Sequence, residues 1–364
     1  MSSSAEDTRH MARALQLARR GLNGTSPNPR VGCVLVREGR VIGEGYHARA
    51  GEPHAEVVAL RAAGPEARGA SAFVTLEPCS HHGRTPPCAD ALLAAGIARV
   101  VVAVEDPDPR VSGNGIARLR AAGVPVDTGV LAAESRELNA GFFHRHERGR
   151  PWLCCKLAMS LDGRTAMASG ESRWITGEAA RLDVQRLRAR SCAVLTGVGT
   201  VRHDDPRLDV REGGAGPIRQ PLRVILDSAL TTPPGSRVLH PPGKVLIACA
   251  RPDAARQSAL ESAGAECLPL AGSGGRVDIA ALLTELARRQ CNELLLEAGA
   301  TLSAEFARAG LIDEYLLYVA PVLLGSLARP LLELPFERME QKLGLQISDI
   351  TAIGQDWRIR ARPA

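Results

Sequence analysis

An alternation of apolar strands and amphipathic helices runs twice along the chain, on either side of a break at Gly149–Pro151, and it narrows the possible folds more than any other feature. In the first run, "RVGCVLVREGRVIGEGYH" reads as a hairpin, with a strand around Val31–Val36, a turn at Glu38–Gly39 and a second strand from Val41. "HAEVVALRAAG" reads as a helix that turns Val57, Val58 and Leu60 toward a core and stops at Gly64. "SAFVTLEP" is a strand ended by Pro78, and "PPCADALLAAG" is a helix with prolines at its start and Gly96 at its end. "ARVVVAVEDP" is the next strand and "GNGIARLRAAG" the next helix. The segment "ELNAGFFHRHERGRPW" is helical, then charged, and breaks at Pro151. Beyond it, apolar strands recur at "PWLCCKLAMS", "CAVLTG", "PLRVILDS", "KVLIACA", "ELLLEAG" and "EYLLYVAPVLLG", with helices between several of them. Such alternation implies α/β layers with a largely parallel portion. A chain of 364 residues, at roughly 100–200 per domain, is expected to form two of them, residues 1–149 and 150–364.

Composition excludes several function classes. The net charge of +5 comes from 45 basic and 40 acidic residues with no Lys/Arg run, and aromatic residues are 3%. A nucleic-acid channel needs a basic, aromatic-bearing groove, so none is expected. Scattered arginines suit a small phosphorylated molecule instead. No apolar run reaches roughly 18 residues, so no membrane span is expected. The N-terminal "MSSSAEDTRHMARALQLARR" lacks the apolar core of a secretory signal. Nine cysteines without a framework pattern read as reduced thiols of a cytoplasmic protein, a few of which bind metal.

The metal reading rests on four residues. His54 and Glu56 stand two apart at a helix start, and Cys79 and Cys88 enclose a loop of His, Gly and Pro. One His and two Cys suit Zn²⁺ with a water in the fourth position. Cys88 opens a helix, whose dipole favours a thiolate. Glu56 is then free to exchange protons with the metal's water, as in zinc deaminases that combine H-x-E with P-C-x-x-C. Here eight residues separate the cysteines. A structural zinc site is the alternative, with His81 or His82 as fourth ligand, but it gives Glu56 no purpose. In the second half, no G-x-G-x-x-G follows a strand, so an ordinary Rossmann site is excluded. "ELLLEAGATLSAEFARAG" instead offers a strand, a Gly turn and a helix whose N–H groups from Gly299 onward can hold a phosphate. "VLTGVGTVRHDDP" is a second such junction.

The stretches "TSPNPRVGCVLV", "HAEVVAL", "TLEPCSHHGRTPPCADAL" and "DPDPRVSGNG" resemble the deaminase half of the bifunctional RibD family of riboflavin biosynthesis. "KLAMSLDGRTAMASGESRWITG", "RARSCAVLTGVGTVRHDDPRL", "LDS" and "LLLEAGATL" resemble its reductase half, so the likeness covers nearly the whole chain. The resemblance implies a three-layer cytidine-deaminase-like domain followed by a dihydrofolate-reductase-like domain. It implies one zinc on His54, Cys79 and Cys88, and Glu56 as the catalytic proton shuttle. The substrate would be 2,5-diamino-6-ribosylamino-4(3H)-pyrimidinone 5′-phosphate, deaminated on the ring and then reduced at the ribose with NADPH. Cofactor contacts would be Ala158, Trp174, Thr200, Asp204, Ser228 and the segment Gly299, Ala300, Thr301, Leu302, Ser303, Ala304 and Glu305. Substrate contacts would be Asn28, Ser172, Arg188, Leu208, Arg211 and Glu297. A dimer through the reductase domain is implied as well.

Several of these residues keep a second reading. Asn28 is either a ring-binding amide or a turn-former between prolines. Trp174 either stacks near the nicotinamide or packs in a core. Arg188 and Arg211 either grip a phosphate or lie on a solvated face. His81, His82 and Arg84 either hold the substrate phosphate or form a solvated loop. Asp162 is a turn residue or a nearby acid. Asp108 in "DPDP" stands where the family more often has Asn. No residue stands out as the proton donor for the reduction, because hydride transfer takes its reactivity from the cofactor. Three rival functions are a deaminase whose second domain only binds a nucleotide, a zinc-dependent nucleic-acid deaminase with an accessory binding domain, and a non-enzymatic zinc scaffold. The low aromatic content and lack of a basic cluster disfavour the second, and Glu56 disfavours the third.

Overall fold

The computed structural model describes residues 4–80, 87–172, 174–211, 219–240 and 242–364. The chain divides into two compact units, Met1–Gly149 and Arg150–Ala364. The first begins with α1 (Ala5–Ala18), β1 (Gly32–Arg37), β2 (Arg40–Tyr46), α2 (Ala55–Ala63) and β3 (Ser71–Val74). It continues with α3 (Cys88–Ala94), β4 (Arg99–Val102), α4 (Asn114–Ala121), β5 (Val126–Thr128), α5 (Ala132–Leu138) and α6 (Ala140–Arg148). Among the described residues its strands form one sheet in the order β2-β1-β3-β4-β5. β1 is antiparallel to both neighbours, whereas β3, β4 and β5 run parallel.

The two-residue period of a strand sorts this unit's core. Cys33 and Leu35, Ala72 and Val74, and Val100 and Val102 pack under α2, α3 and α4. Val34, Val36, Phe73 and Val101 point the other way, onto Met11, Ala14 and Leu17 of α1. Each fully buried aliphatic side chain contributes about 1.5–3 kcal/mol, so burial on both faces explains the unbroken apolar runs and the three layers. The glycines of the hairpin set the position of α2. A Cβ on Gly43 would come within 2.4 Å of the Ala59 carbonyl oxygen, and one on Gly45 within 2.3 Å of that of Ala55. Only glycine lets α2 lie this close to β2, and that contact fixes where the helix start presents His54 and Glu56.

The second unit begins with β6 (Trp152–Ser160), β7 (Arg164–Ala166), α7 (Glu178–Arg190), β8 (Ala193–Gly197), α8 (Val198–Asp204) and β9 (Leu222–Leu226). Next come β10 (Val245–Cys249), α9 (Ala254–Ser262), β11 (Ala265–Pro269), α10 (Ile279–Arg288) and β12 (Glu293–Leu296). It ends with α11 (Ala300–Arg308), β13 (Glu314–Ala320), β14 (Arg329–Pro330), β15 (Leu345–Ile353) and β16 (Asp356–Pro363). Among the described residues, nine strands form a sheet in the order β11-β10-β9-β8-β12-β6-β13-β16-β15. The strands from β11 to β13 are parallel, and β16 and β15 close one edge antiparallel. α10 and α11 cover one face through Leu282, Leu283, Leu286 and Phe306. α7 and α9 cover the other through Val184, Leu187 and Leu260.

One sequence expectation changes here, and one element is new. "EYLLYVAPVLLG" is not one strand: β13 stops at Ala320, and Val322 and Leu323 are exposed. Pro321 has no N–H to continue the ladder, and the N–H groups of Leu324 and Gly325 donate to Asp162 instead. Asp162 also accepts from Ser160 Oγ at 2.5 Å, which makes it a turn residue. The hairpin β15–β16 had no reading in the sequence, because its apolar residues face outward. Among the described residues no helix is long and apolar enough to cross a membrane.

Candidate active sites

The first site forms where two helices start beside the end of β3. His54 is the N-cap of α2, and Cys88 is the first residue of α3 after Pro87. Cys79 follows Pro78 in the irregular segment that leaves β3. His54 Nδ1 lies 3.3 Å from Cys88 Sγ and 3.7 Å from Cys79 Sγ, and the Cys88 N–H donates to Cys79 Sγ at 3.3 Å. All three donor atoms fall within 4.8 Å of one another. The hydrogen bond from Cys88 holds the Cys79 thiol below the ordinary range, and the same contact and burial push Cys88 above it. A cation between them removes that competition.

Glu56, in the first turn of α2, is 3% exposed, and its Oε2 is buried without a hydrogen-bond partner among the described residues. Burial, and then the negative Cys79, raise its carboxyl to about 7. A buried carboxylate oxygen with no donor, next to one imidazole and two sulfurs, fits a zinc ion and its water. His81, His82 and Arg84 lie outside the described residues.

Two further residues give this site its shape, and neither stood out in the sequence. His47 is buried, with Nδ1 3.2 Å from the Pro53 carbonyl oxygen and Nε2 3.1 Å from Asn28 Nδ2. The carbonyl can only accept, so Nδ1 carries the proton and Nε2 accepts from the Asn28 amide. The reading of Asn28 as a bare turn-former therefore omits its partner. Glu77, one residue before Pro78, accepts from the N–H groups of Asp106, Gly113, Gly115 and Ile116. It pins the loop after β4 to the start of α4. Asp108 in that loop is buried, accepts from the Arg110 guanidinium at 3.0 and 2.5 Å, and is held down to about 2 by it.

The second site is a cavity of about 1810 Å³ in the second unit, over the C-terminal ends of its parallel strands. Ligands in open α/β sheets bind at this edge. Ala158, Trp174, Thr200, Asp204 and Ser228 line it, as do Gly299, Ala300, Thr301, Leu302 and Glu305. Ser172, Arg188, Leu208, Arg211 and Glu297 line it too. Ser303 and Ala304 do not. One turn into α11, they face the core, where both are buried and Ser303 Oγ donates to the Ala298 carbonyl at 3.3 Å. Gly299, the N-cap of α11, has no atom within 4 Å of where a Cβ would sit, so a side chain there would project into open space. Trp174 is 72% exposed with the Arg181 guanidinium 4.6 Å over its ring, which rules out core packing.

Arg188 and Glu297 form a paired fork at 2.6 and 2.9 Å, nearly closed to solvent. Arg211 and Arg207 both pair with Asp209, leaving a guanidinium-rich wall. Leu208 adopts φ 53, a left-handed backbone that a leucine rarely takes. Lys156 also lines this cavity and had no reading in the sequence. Burial lowers its amine below the ordinary lysine range, and Glu297 opposes that shift. Its ammonium lies 5.9 Å over the Tyr318 ring, whose hydroxyl donates to Asp183 at 2.7 Å.

A zinc-type cradle on a three-layer sheet, followed by a separate mixed α/β unit with a strand-end cavity, defines a two-domain deaminase and reductase. The family model of the cytidine and deoxycytidylate deaminase zinc-binding region matches residues 4–104, and that of the RibD C-terminal domain matches 151–359. Riboflavin biosynthesis protein RibD of Escherichia coli is 48% identical over 362 residues, covering 96% of this chain and 98% of its own. Its counterpart from Bacillus amyloliquefaciens is 42% identical over 358 residues, covering 97% and 95%. The solved structure of Acinetobacter baumannii RibD matches with a TM-score of 0.92 at 46% identity, covering 99% of both chains. A Thermotoga maritima diaminohydroxyphosphoribosylaminopyrimidine deaminase/5-amino-6-(5-phosphoribosylamino)uracil reductase matches at 0.87 and 32%, again over 99% of both. The chain belongs to the RibD family. It is a deaminase and a reductase of riboflavin biosynthesis, with a zinc-binding deaminase domain and a reductase domain of a family that uses NADPH.

Proposed function

We propose that each unit carries one of the two reactions: deamination in Met1–Gly149 and reduction in Arg150–Ala364. The first substrate is 2,5-diamino-6-ribosylamino-4(3H)-pyrimidinone 5′-phosphate, in keeping with the name of the Thermotoga relative. Zinc on His54, Cys79 and Cys88 would supply a water of near-neutral pKa. Glu56 takes one proton as the water oxygen bonds to the ring carbon that carries the 2-amino group, and passes it to the adjacent ring nitrogen. It then moves the second proton, from the new hydroxyl, to the amine, so that the C–N bond breaks, a carbonyl remains and ammonia leaves. Its burial beside the metal-bound water places this carboxyl where it can both accept and return a proton. Asn28, oriented by His47, binds the ring edge.

In the second unit, the Gly299–Leu302 turn and Glu305, with Ala158, Trp174, Thr200, Asp204 and Ser228, hold NADPH, which supplies the hydride. Arg188 and Arg211 hold the ribose phosphate, Glu297 locks Arg188, and Ser172 and Leu208 border the sugar. Reduction puts a hydride on C1′ and a proton on the ring oxygen as the bond between them breaks, giving the ribityl chain. Lys156 donates that proton.

Assembly and location follow the same reading: a dimer of this chain through the second unit, in the cytoplasm. The dimer is supported by the edge hairpin. The bulge between Ile347 and Asp349 keeps Ile350 on the same face as Leu345 and Ile347, opposite Ile359 and Ala361 of β16. Leu345, Ile347, Ile350 and Trp357 are 42–55% exposed, an apolar stripe of the kind that pairs with another copy. Ile350→Lys should lower the sedimenting mass to that of a monomer; a parent chain already monomeric contradicts this.

The observation that carries the deaminase reading is the closed triangle of His54, Cys79 and Cys88 beside a buried, partnerless Glu56 oxygen. Glu56→Gln tests it. Zinc content should stay at the parent value while ammonia release falls by about 10²-fold or more. Zinc lost in step with activity makes Glu56 a ligand or a structural residue.

A further inference from the structure

Which groups discriminate the phosphorylated dinucleotide is legible at one end of the reductase cavity; the inference rests on the reductase reading above. Three parallel strands bring their C-terminal turns to this end: Ser228 after β9, Arg251 after β10 and the segment from Gly272 after β11. The Arg251 N–H donates to the Ser228 carbonyl at 2.8 Å, which ties the first two turns together. The third turn bends through Gly274 and Gly275, at φ 64 and 69. A Cβ on Gly275 would lie 3.7 Å from both Cδ and Nε of Arg251, so that side chain rests against the turn. Arg276, the next residue, lines the cavity and pairs with Glu305 of α11.

Glu305 has more cation than it needs, because Arg308 also pairs with it at 2.6 Å. The Arg276 side chain is 68% exposed, and exposed pairs of this kind hold weakly. Arg276 can therefore turn to a stronger acceptor while Arg308 keeps Glu305 paired. A phosphate dianion is such an acceptor, since a guanidinium fork matches two of its oxygens. An unneutralised Glu305 would instead repel a phosphate and favour a ribose hydroxyl.

We propose that Arg276 and Arg251, on either side of the Gly274–Gly275 turn, clamp the 2′-phosphate of NADPH and so set the preference for NADPH over NADH. Dissociation constants of the full-length protein for NADPH and for NADH, measured separately by nicotinamide fluorescence without pyrimidine substrate, test this. Arg276→Ala should weaken NADPH by about 10-fold or more and leave NADH unchanged. Arg251→Ala should act in the same direction, the double variant should lose most of the discrimination, and Arg276→Lys should keep part of it. Added salt should erode the parent's preference as the exposed charges are screened. Equal losses for both dinucleotides in Arg276→Ala overturn the clamp, because they make Arg276 a support of the cavity wall. Discrimination unmoved in the double variant overturns it as well. A parent chain that binds neither dinucleotide overturns the reductase reading and the clamp with it, whereas the two preceding outcomes leave that reading standing.

Discussion

The deaminase cradle and the reductase cavity solve opposite problems. The cradle holds three donor atoms within 4.8 Å, at two helix starts and one strand end, around a carboxylate that is 3% exposed. The cavity spans about 1810 Å³ and collects its lining from the ends of strands far apart in sequence, from Lys156 to Glu333. On the proposed reading, one site binds a point charge and the other a long, flexible dinucleotide. A site built on a few atoms tolerates almost no substitution, whereas a wide one distributes its binding over many contacts.

The largest expected effect follows from that contrast. Cys88→Ser, or strong chelation of the parent protein, should abolish ammonia release, because the cradle has no spare donor among the described residues. Reduction of already deaminated substrate should stay near the parent rate, since those residues hold no second cluster of this kind. Metal analysis of the active, unchelated protein should return one zinc per chain. Loss of both activities on chelation would tie the cavity to the metal.

The same contrast decides what the sequence revealed. His54, Glu56, Cys79 and Cys88 were legible because metal chemistry demands particular residue types, and each sits at an element boundary marked by Pro or Gly. Most central strands of both units were legible because burial on both faces leaves unbroken apolar runs, whereas the short or half-exposed β5, β7, β11 and β14 had no reading. The β15–β16 hairpin was not, because its apolar stripe faces outward and mimics no core. His47 was silent because only the fold brings it to Asn28, and Lys156 because one lysine in an apolar strand carries no spacing signal. The resemblance supplied most of the cavity contacts. It also placed Ser303 and Ala304 there, but helical geometry turns them into the core.

A smaller effect separates catalysis from architecture in the cavity. Lys156→Met should lower reduction by about 10²–10⁴-fold and leave deamination alone. It should not lower thermal stability, because a neutral side chain removes a charge whose burial is unfavourable. Burial depresses the lysine, so the ammonium that donates is complete at low pH and is lost as pH rises through a value below the ordinary 10.5. The parent's reduction rate should therefore fall on the alkaline side, earlier than a free lysine would titrate. A reduction profile flat through that range, or a Lys156→Met variant that still reduces substrate, removes the lysine from the chemistry.

The central claim is that two independent catalysts share one chain, and mixing two defective variants tests it most directly. Gly299→Val puts a side chain into the open space of the cavity and should stop NADPH oxidation while sparing ammonia release. Glu56→Gln should do the reverse. Each alone, given the diaminopyrimidinone phosphate and NADPH, should fail to make the ribityl product by mass. The two together should make it through free intermediate, more slowly than the parent. If the mixture makes no product although each folded variant keeps its remaining activity, or if either substitution silences both reactions, the two sites do not work independently.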